Sequence, residues 1–212
     1  MLSPAYLRTV PLPQDLTNDD IFTALVETES FFTSIRKNAG TNLSEIIQAN
    51  NFSGVVYNVF TKKLGDTSIY QPYHDQRYPD LMHKAVPIGL EVKASNKPMK
   101  GGEGHNGHSG WHIIVCYHIL PIGDIEFTHV EIAELNGFGH PDSDWKYCGS
   151  KRNKNDSQRT ETYMTNSIGT AKLRDGSVYL NPEYVNITPH LRHRRKKSSD
   201  LLPIPSFSPF AG

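Results

Sequence analysis

Hydrophobic and polar residues recur with a helical period near the start of the chain. Four apolar residues of the segment TNDDIFTALVETESFFTSIRKNAG lie at spacings typical of one helix face: Ile21, Leu25, Phe32 and Ile35. Thr17 can cap this helix, aspartates follow in its first turn, and Gly40 can end it. The pattern therefore predicts a helix over residues 17–40.

A second helix is predicted to start near Asn42, in the segment NLSEIIQANN. The segment that follows it, GVVYNVFTKKLG, is compatible with a continuing helix and with a strand. Periodicity does not decide between these two alternatives.

Beyond residue 80 the pattern changes to period two and to short apolar runs, which predict strands. The four candidates are Leu81–His83, Pro87–Ala94, Trp111–Leu120 and Ile125–Leu135. Both faces of WHIIVCYHIL are largely apolar, as expected for a central strand.

The remaining third of the chain mixes loop signals with two short elements. The passage NGFGHPDSDWKYCGSKRNKNDSQ predicts a loop, NSIGTAKLRDG a short helix ended by Gly176, and SVYLNPEYV a strand. The last residues are first basic and then rich in Pro and Ser, which predicts a loosely ordered tail. We expect an α/β (α+β) fold, with a central mixed sheet flanked by helices in a domain over residues 1–185 and a tail over 186–212.

Composition narrows the functional classes only in part. No apolar stretch of the 212 residues is long enough to cross a bilayer, and the N-terminal residues lack a secretory pattern. The two cysteines are too few for a disulfide framework, so a cytoplasmic protein is expected. Residues 1–150 contain 11 Lys and Arg against 17 Asp and Glu, whereas residues 151–212 contain 11 against 5. A basic last third suggests a polyanionic partner.

Charged residues at the end of one predicted strand indicate chemistry. Glu91 and Lys93 follow an apolar run and point to the same face of a strand. If Leu81–His83 pairs antiparallel with this strand, Asp80 lies opposite Glu91. Two carboxylates so close together repel each other unless a cation lies between them, and oxygen ligands with room for water and phosphate suit Mg²⁺.

Pro79-Asp80 followed by Glu91-Val92-Lys93 resembles the PD-(D/E)xK signature of a superfamily of Mg²⁺-dependent nucleases, which includes most type II restriction endonucleases. The resemblance implies a restriction-endonuclease-like core, with Asp80, Glu91 and the carbonyl of Val92 as metal ligands and Lys93 as the catalytic lysine. The family often adds an acidic residue from an upstream helix. Glu45 is the first candidate for this role and Glu29 the second.

Three other motifs compete with this interpretation. The string PDSDWK at residues 141–146 also contains the signature letters, but its acidic residues are too close for two paired strands and its composition predicts a turn. The string HNGH suggests an HNH nuclease. His105, His108 and His112 could also ligate zinc, although no cysteine or carboxylate supports them at the usual spacing.

Basic and amide side chains outside the signature are candidate DNA contacts. They are Lys97, Lys100, His105, Asn106, His108, Arg152, Lys154, Lys172, Arg174, Asn181, Arg192, Arg194 and Arg195. The resemblance divides the domain into N-terminal helices over 17–65, a catalytic sheet over 78–135 and a DNA-contacting region over 136–185.

The sequence therefore predicts a Mg²⁺-dependent endonuclease that cleaves double-stranded DNA at a short specific site, like a type II restriction endonuclease. A homodimer is expected, because two-fold symmetry would place one active site on each strand. Another nuclease of the superfamily, acting in repair or on DNA structures, is one alternative. A non-catalytic DNA-binding protein is the other.

Overall fold

The computed structural model of the protein describes residues 2–73, 78–99, 103–104, 107–149, 162–198 and 202–212. Over these ranges there are five α-helices: α1 (Asn18–Ala39), α2 (Leu43–Ile46), α3 (Ala49–Thr67), α4 (Ser167–Asp175) and α5 (Thr188–Ser198). The same ranges contain nine strands: β1 (Tyr70–Pro72), β2 (Leu81–His83), β3 (Gly89–Ser95), β4 (Glu103–Gly104), β5 (Gly110–Ile119), β6 (Ile125–Leu135), β7 (Trp145–Tyr147), β8 (Tyr163–Thr165) and β9 (Ser177–Leu180). None of these helices is long and apolar enough to span a membrane.

The first predicted helix is confirmed as α1, and local chemistry explains both of its ends. The Thr17 hydroxyl accepts the N–H of Asp20, and the Asp20 carboxylate accepts the N–H of Thr17, which completes a capping box. Gly40 ends the helix in the left-handed conformation with φ 62°.

The segment that the pattern left open is helical and belongs to α3. Four residues of α3 at i, i+4 spacing are buried in the main core: Phe52, Val56, Phe60 and Leu64. The predicted second helix is divided, because α2 ends at Ile46 and α3 begins at Ala49. Burial of the apolar stripe of α3 against the sheet settles the choice that periodicity could not make.

The main sheet has six strands in the order β1-β2-β3-β5-β6-β9. Strands β3 and β5 are parallel, and the other neighbours are antiparallel. The fold is therefore α+β with a mixed sheet, as predicted. Between β3 and β5 the described residues, 96–99, 103–104 and 107–109, contain no helix.

Two hydrophobic clusters cover the two faces of the central strands. On one face, Ile113, Val115 and Tyr117 of β5 pack in the core with α1 and α3. On the other face, Ile114 and Cys116 pack with a smaller cluster that contains Trp145 and Leu173. This two-sided burial confirms β5 as a central strand.

A second sheet has the order β4-β8-β7, and its strand β7 lies where the sequence predicted a loop. Its strands have two or three residues each, too few for period-two alternation to be recognised. The turn predicted for PDSDWK, residues 141–146, is wrong for the last residues of the string. Asp144 is fully buried, and Trp145 begins β7.

The C-terminal residues are more ordered than predicted. After α5, Phe210 is buried with Met99 and Val185, and Leu191 and Ile204 pack against them. Burial of these apolar side chains explains why the Pro- and Ser-rich composition did not produce a loose tail over residues 202–212.

Candidate active site

Strand pairing brings the two acidic residues of the signature together. Strands β2 and β3 are antiparallel, with Leu81 opposite Leu90 and Met82 opposite Gly89. The same register places Asp80 beside Glu91, as the sequence predicted. The Asp80 carboxyl contributes to raising the pKa of Glu91, as expected for two neighbouring carboxyl groups.

Asp80 is held by two hydrogen bonds from different parts of the chain. Its Oδ2 accepts the backbone N–H of Val92 at 2.7 Å, and its Oδ1 accepts the hydroxyl of Tyr57 on α3. Desolvation raises the pKa of Tyr57, and the bond to Asp80 and the charge of Glu91 raise it further, so the phenol remains a donor. Asp80 therefore has a fixed orientation before any ligand binds.

Glu91 is a buried carboxyl whose charge is only partly compensated. Its side chain is 14% exposed, and its Oε1 accepts a hydrogen bond of 2.5 Å from Nζ of Lys93. Its Oε2 is buried and has no hydrogen-bond partner in the described part of the chain. Burial raises the pKa of Glu91 to about 7, because the lowering effect of Lys93 does not outweigh desolvation and the neighbouring Asp80 carboxyl.

These observations fit a divalent cation held by Asp80 and Glu91. An orphaned buried oxygen beside a second carboxylate is a costly arrangement that a cation would stabilise. Within the described ranges, no group of three or more His, Cys, Asp and Glu side chains could hold a metal ion. A two-carboxylate site suits Mg²⁺, since Mg²⁺ usually keeps several waters and binds one or two protein carboxylates.

Aromatic and imidazole rings line the β5 side of the acidic pair. His112 lies next to Glu91 in the parallel register of β3 and β5. Burial lowers the pKa of His112 to about 4, so the ring is neutral and its Nδ1 donates to the Gly110 carbonyl at 2.9 Å. The ring of Trp145 packs against His112 at 5.3 Å, and the ring of Tyr78 against His108 at 4.0 Å. Burial, with the charge of Lys93, also lowers the pKa of His108.

Glu45 does not join this site, so its predicted role is wrong. It is exposed on α2 and accepts a hydrogen bond from Asn42. Helix α2 lies at the turn between β5 and β6, where Ser44 donates to the Gly123 carbonyl at 3.4 Å. The length of β5 from His112 to Ile119 separates this turn from Glu91 by about 23 Å.

Glu29, the second candidate, also lies at the far end of the sheet. Its Oε1 accepts the N–H of Phe127 on β6 at 2.8 Å. Phe127 pairs with Tyr117 in the second half of β5. The helix residue that meets Asp80 is Tyr57 instead, and the sequence carried no signal for it, because the helical character of its segment was itself undecided.

The predicted DNA contacts fall into three groups. Lys97, Arg192 and Arg195 are exposed, and His108 is half-buried and stacks on Tyr78. Lys100, His105, Asn106, Arg152 and Lys154 lie outside the described residues, and the zinc and HNH alternatives depend in part on these. The third group consists of residues that are already engaged inside the protein: Lys172, Arg174, Asn181 and Arg194.

In this third group the burial of Asn181 and Arg194 contradicts a DNA contact, whereas Lys172 and Arg174 are partly exposed and have partners inside the protein. Lys172 bonds the buried Asp144 at 2.6 Å, and the Arg174 guanidinium donates to the Met99 carbonyl. Asn181 is fully buried. Arg194 is 3% exposed and pairs with Asp175 at 2.7 Å. The Lys172 side chain is 29% exposed, and Arg174 is half-buried.

Comparison with known proteins adds no assignment. No protein family model matches the chain, and no curated protein and no solved structure matches it. A function therefore has to be argued from the residues of the site.

Proposed function

We propose that the protein is a Mg²⁺-dependent endodeoxyribonuclease that hydrolyses double-stranded DNA at a short specific site, as type II restriction endonucleases of the PD-(D/E)xK superfamily do. The observation that carries the proposal is the meeting of Asp80 and Glu91, with Lys93 bonded to Glu91 at 2.5 Å. The orphaned Glu91 Oε2 supports it independently, since it leaves an acceptor for a cation.

Each residue of the site has a defined task in this proposal. Asp80 and Glu91 would hold Mg²⁺, with the Val92 carbonyl as a further ligand by resemblance to the family. When bound, Mg²⁺ supplies Lewis-acid polarisation of a phosphate and a lower pKa for water. Lys93 Nζ donates hydrogen bonds to oxygens that carry negative charge at the reacting phosphate. Tyr57 fixes the Asp80 carboxylate, and the rings of His112 and Trp145 exclude water from one side.

Exposed basic residues support DNA as the substrate. Lys97 follows the strand that carries the site, and Arg192 and Arg195 lie on the surface of α5. Such charges bind phosphates without reading sequence and make affinity depend steeply on salt. Two copies related by a two-fold axis would cut both strands, so a homodimer is part of the proposal.

Incubation of the protein with supercoiled plasmid, with and without Mg²⁺, tests the proposal directly. We expect discrete bands that depend on Mg²⁺, and sequencing of ends from a random-sequence duplex library gives the site. A smear, or cleavage restricted to unpaired DNA, would favour the repair or structure-specific alternative. DNA binding without cleavage at any divalent cation concentration would favour the non-catalytic alternative.

Replacement of Tyr57 by phenylalanine is expected to raise the Mg²⁺ concentration for half-maximal cleavage about 10-fold or more. Residues that orient a metal ligand typically contribute 10- to 100-fold to metal affinity or activity. The measurement is the cleavage rate as a function of Mg²⁺ concentration.

Tyr117→Phe is the matched control for Tyr57→Phe. The Tyr117 hydroxyl on β5 forms a hydrogen bond of 2.8 Å with Ser53 on α3, the helix that also carries Tyr57. Tyr117 lies in the core away from the Asp80 and Glu91 carboxylates. Both variants lose one hydroxyl hydrogen bond, worth about 1 kcal/mol of stability. Equal Mg²⁺ requirements in the two variants would show that Tyr57 does not position Asp80.

A further inference from the structure

The small sheet carries an exposed aromatic face. Tyr147 of β7 pairs with Tyr163 of β8, and their rings lie 5.3 Å apart. Phe138, in the loop after β6, packs on Tyr163 with ring centroids 4.7 Å apart. Phe138 is 52% exposed and Tyr147 is 47% exposed. We call these three residues, Phe138, Tyr147 and Tyr163, the aromatic surface.

The aromatic surface is continuous with the candidate active site. Gly107 has φ +60° and packs so closely that an added Cβ would lie 3.2–3.3 Å from Phe138, Trp145 and Tyr163. Its carbonyl accepts the N–H of Phe138 at 2.7 Å. The next residue, His108, stacks on Tyr78, and its carbonyl accepts the Trp145 Nε1 hydrogen at 3.1 Å. The consecutive residues Gly107 and His108 therefore connect the aromatic surface to the rings of Tyr78 and Trp145, which lie near the candidate active site.

The chemistry of the aromatic surface suits the faces of unpaired nucleic-acid bases. Exposed rings next to each other offer stacking area to any base, independent of sequence. Bases inside a duplex have both faces covered by their neighbours, so they cannot use such a surface. Phe138 and Tyr147 supply the exposed rings, and the half-buried Tyr163 packs against both of them.

Charge in the adjoining sequence favours a polyanion over a protein partner. The chain that joins β7 to β8 contains Lys151, Arg152, Lys154 and Arg159 against Asp156 and Glu161. These residues lie outside the described ranges and are not assigned a place in the site. Their balance is nevertheless positive, in a chain whose formal net charge is zero.

We propose that the aromatic surface binds unpaired bases beside the active site, so that the preferred DNA carries a single-stranded stretch next to its duplex. This inference rests on the proposed nuclease function and adds a substrate class to it: a duplex that carries the cleavage site and has a single-stranded extension beside it. The backbone of the unpaired strand would pass from the aromatic surface toward His108 and Lys93, while stacking holds its bases.

Binding measured in EDTA tests the inference without any cleavage. The probes are a fluorescein-labelled blunt duplex and the same duplex with a thymidine tail of about 10 nucleotides, a length within known single-strand site sizes. We expect the tailed duplex to bind about 10-fold more tightly than the blunt duplex. Phe138→Ala and Tyr147→Ala should each weaken binding of the tailed duplex about 5- to 100-fold, the range that stacking of one base contributes. Neither variant should change the affinity for the blunt duplex.

Two variants serve as controls. Tyr147→Phe keeps the ring and should bind the tail like the wild type. Phe31→Ala removes another partly exposed phenylalanine, 37% exposed on α1, and should have no effect. Thermal unfolding of each variant by circular dichroism shows that the comparison is made between folded proteins.

Three results would overturn the inference. They are equal binding of blunt and tailed probes, equal losses for both probes in the alanine variants, and a loss of self-association in those variants with unchanged tail binding. The last result would identify the aromatic surface as a protein interface.

A cleavage assay with Mg²⁺ separates this inference from the proposed function. Tail binding by a protein that cleaves no member of the random-sequence duplex library would refute only the nuclease. Cleavage of library duplexes, with equal binding of the blunt and tailed probes, would refute only the stacking surface.

Discussion

Replacement of Lys93 by methionine is expected to lower the rate of Mg²⁺-dependent DNA cleavage about 10³-fold, the scale of losing one donor at a reacting oxyanion. The physical reason is that Lys93 brings a positive charge to 2.5 Å from Glu91, in a site where partial burial strengthens electrostatic interactions. Methionine keeps most of the side-chain volume and removes only the ammonium group. Cleavage rates and binding in EDTA are the two measurements, and binding should change by no more than about threefold, because one phosphate contact contributes little to total affinity.

Lys97→Met is the control for Lys93→Met. Lys97 is an exposed lysine just past the end of β3, so it tests the effect of losing one positive charge without touching the acidic pair. A comparable loss of rate in both variants would mean that Lys93 acts only through general DNA attraction. Full activity of Lys93→Met would refute the catalytic role of Lys93 and leave the nuclease function itself in place.

Replacement of Arg194 by methionine is expected to lower the free energy of unfolding by about 3–5 kcal/mol, the usual cost of breaking a buried ion pair from one side. The Arg194 guanidinium bonds Asp175 at 2.7 Å and the carbonyls of Leu202 and Pro203 at 3.0 and 3.1 Å. Asp175 also accepts the Ser208 hydroxyl at 2.8 Å. Without Arg194 the Asp175 carboxylate is left buried with only part of its partners. Urea denaturation gives the free energy.

Arg195→Met provides a matched control at the next residue. Arg195 is exposed on α5 and donates to the Gly212 carbonyl at 2.5 Å, so its loss should cost no more than about 0.5 kcal/mol. Its removal should instead weaken DNA binding and reduce the salt dependence of that binding. If Arg194→Met leaves stability intact and weakens DNA binding, Arg194 is a DNA contact and not a structural residue.

The correct predictions came from local signals. Helix α1 carries its start and stop in its own residues, Thr17 and Gly40, and the pairing of β2 with β3 follows from a short connection between two apolar runs. The approach of Asp80 to Glu91 depends only on that pairing. Such features are encoded within about 20 residues and can be predicted from the sequence.

The missed features depend on contacts between distant parts of the chain. Strands β7 and β8 are three residues long, so neither carries a recognisable pattern. They pair with each other although residues 148–162 separate them in the sequence. Tyr57 meets Asp80 only because α3 packs across the sheet, which no spacing in the sequence encodes.

The basic block RHRRKK shows a different reason for failure. A helix distributes successive side chains around its axis, so neighbours in the sequence can face opposite environments. Arg192 and Arg195 are exposed, whereas Arg194 is buried. Composition alone treated the three arginines as equivalent DNA contacts, and the error followed from ignoring the helix face.

The bond from the Val92 N–H to Asp80 satisfies a backbone donor at the edge of β3. Strand β3 continues past the start of β2, so this donor would otherwise lie on an open strand edge that another chain could pair with. In an Asp80→Ala variant the Val92 N–H would lose its acceptor. Aggregation of that variant could then be mistaken for a loss of catalytic activity. Asparagine keeps an acceptor oxygen there and is the cleaner inactivating change. The acid that we assign to the cation thus also satisfies a backbone donor at a strand edge.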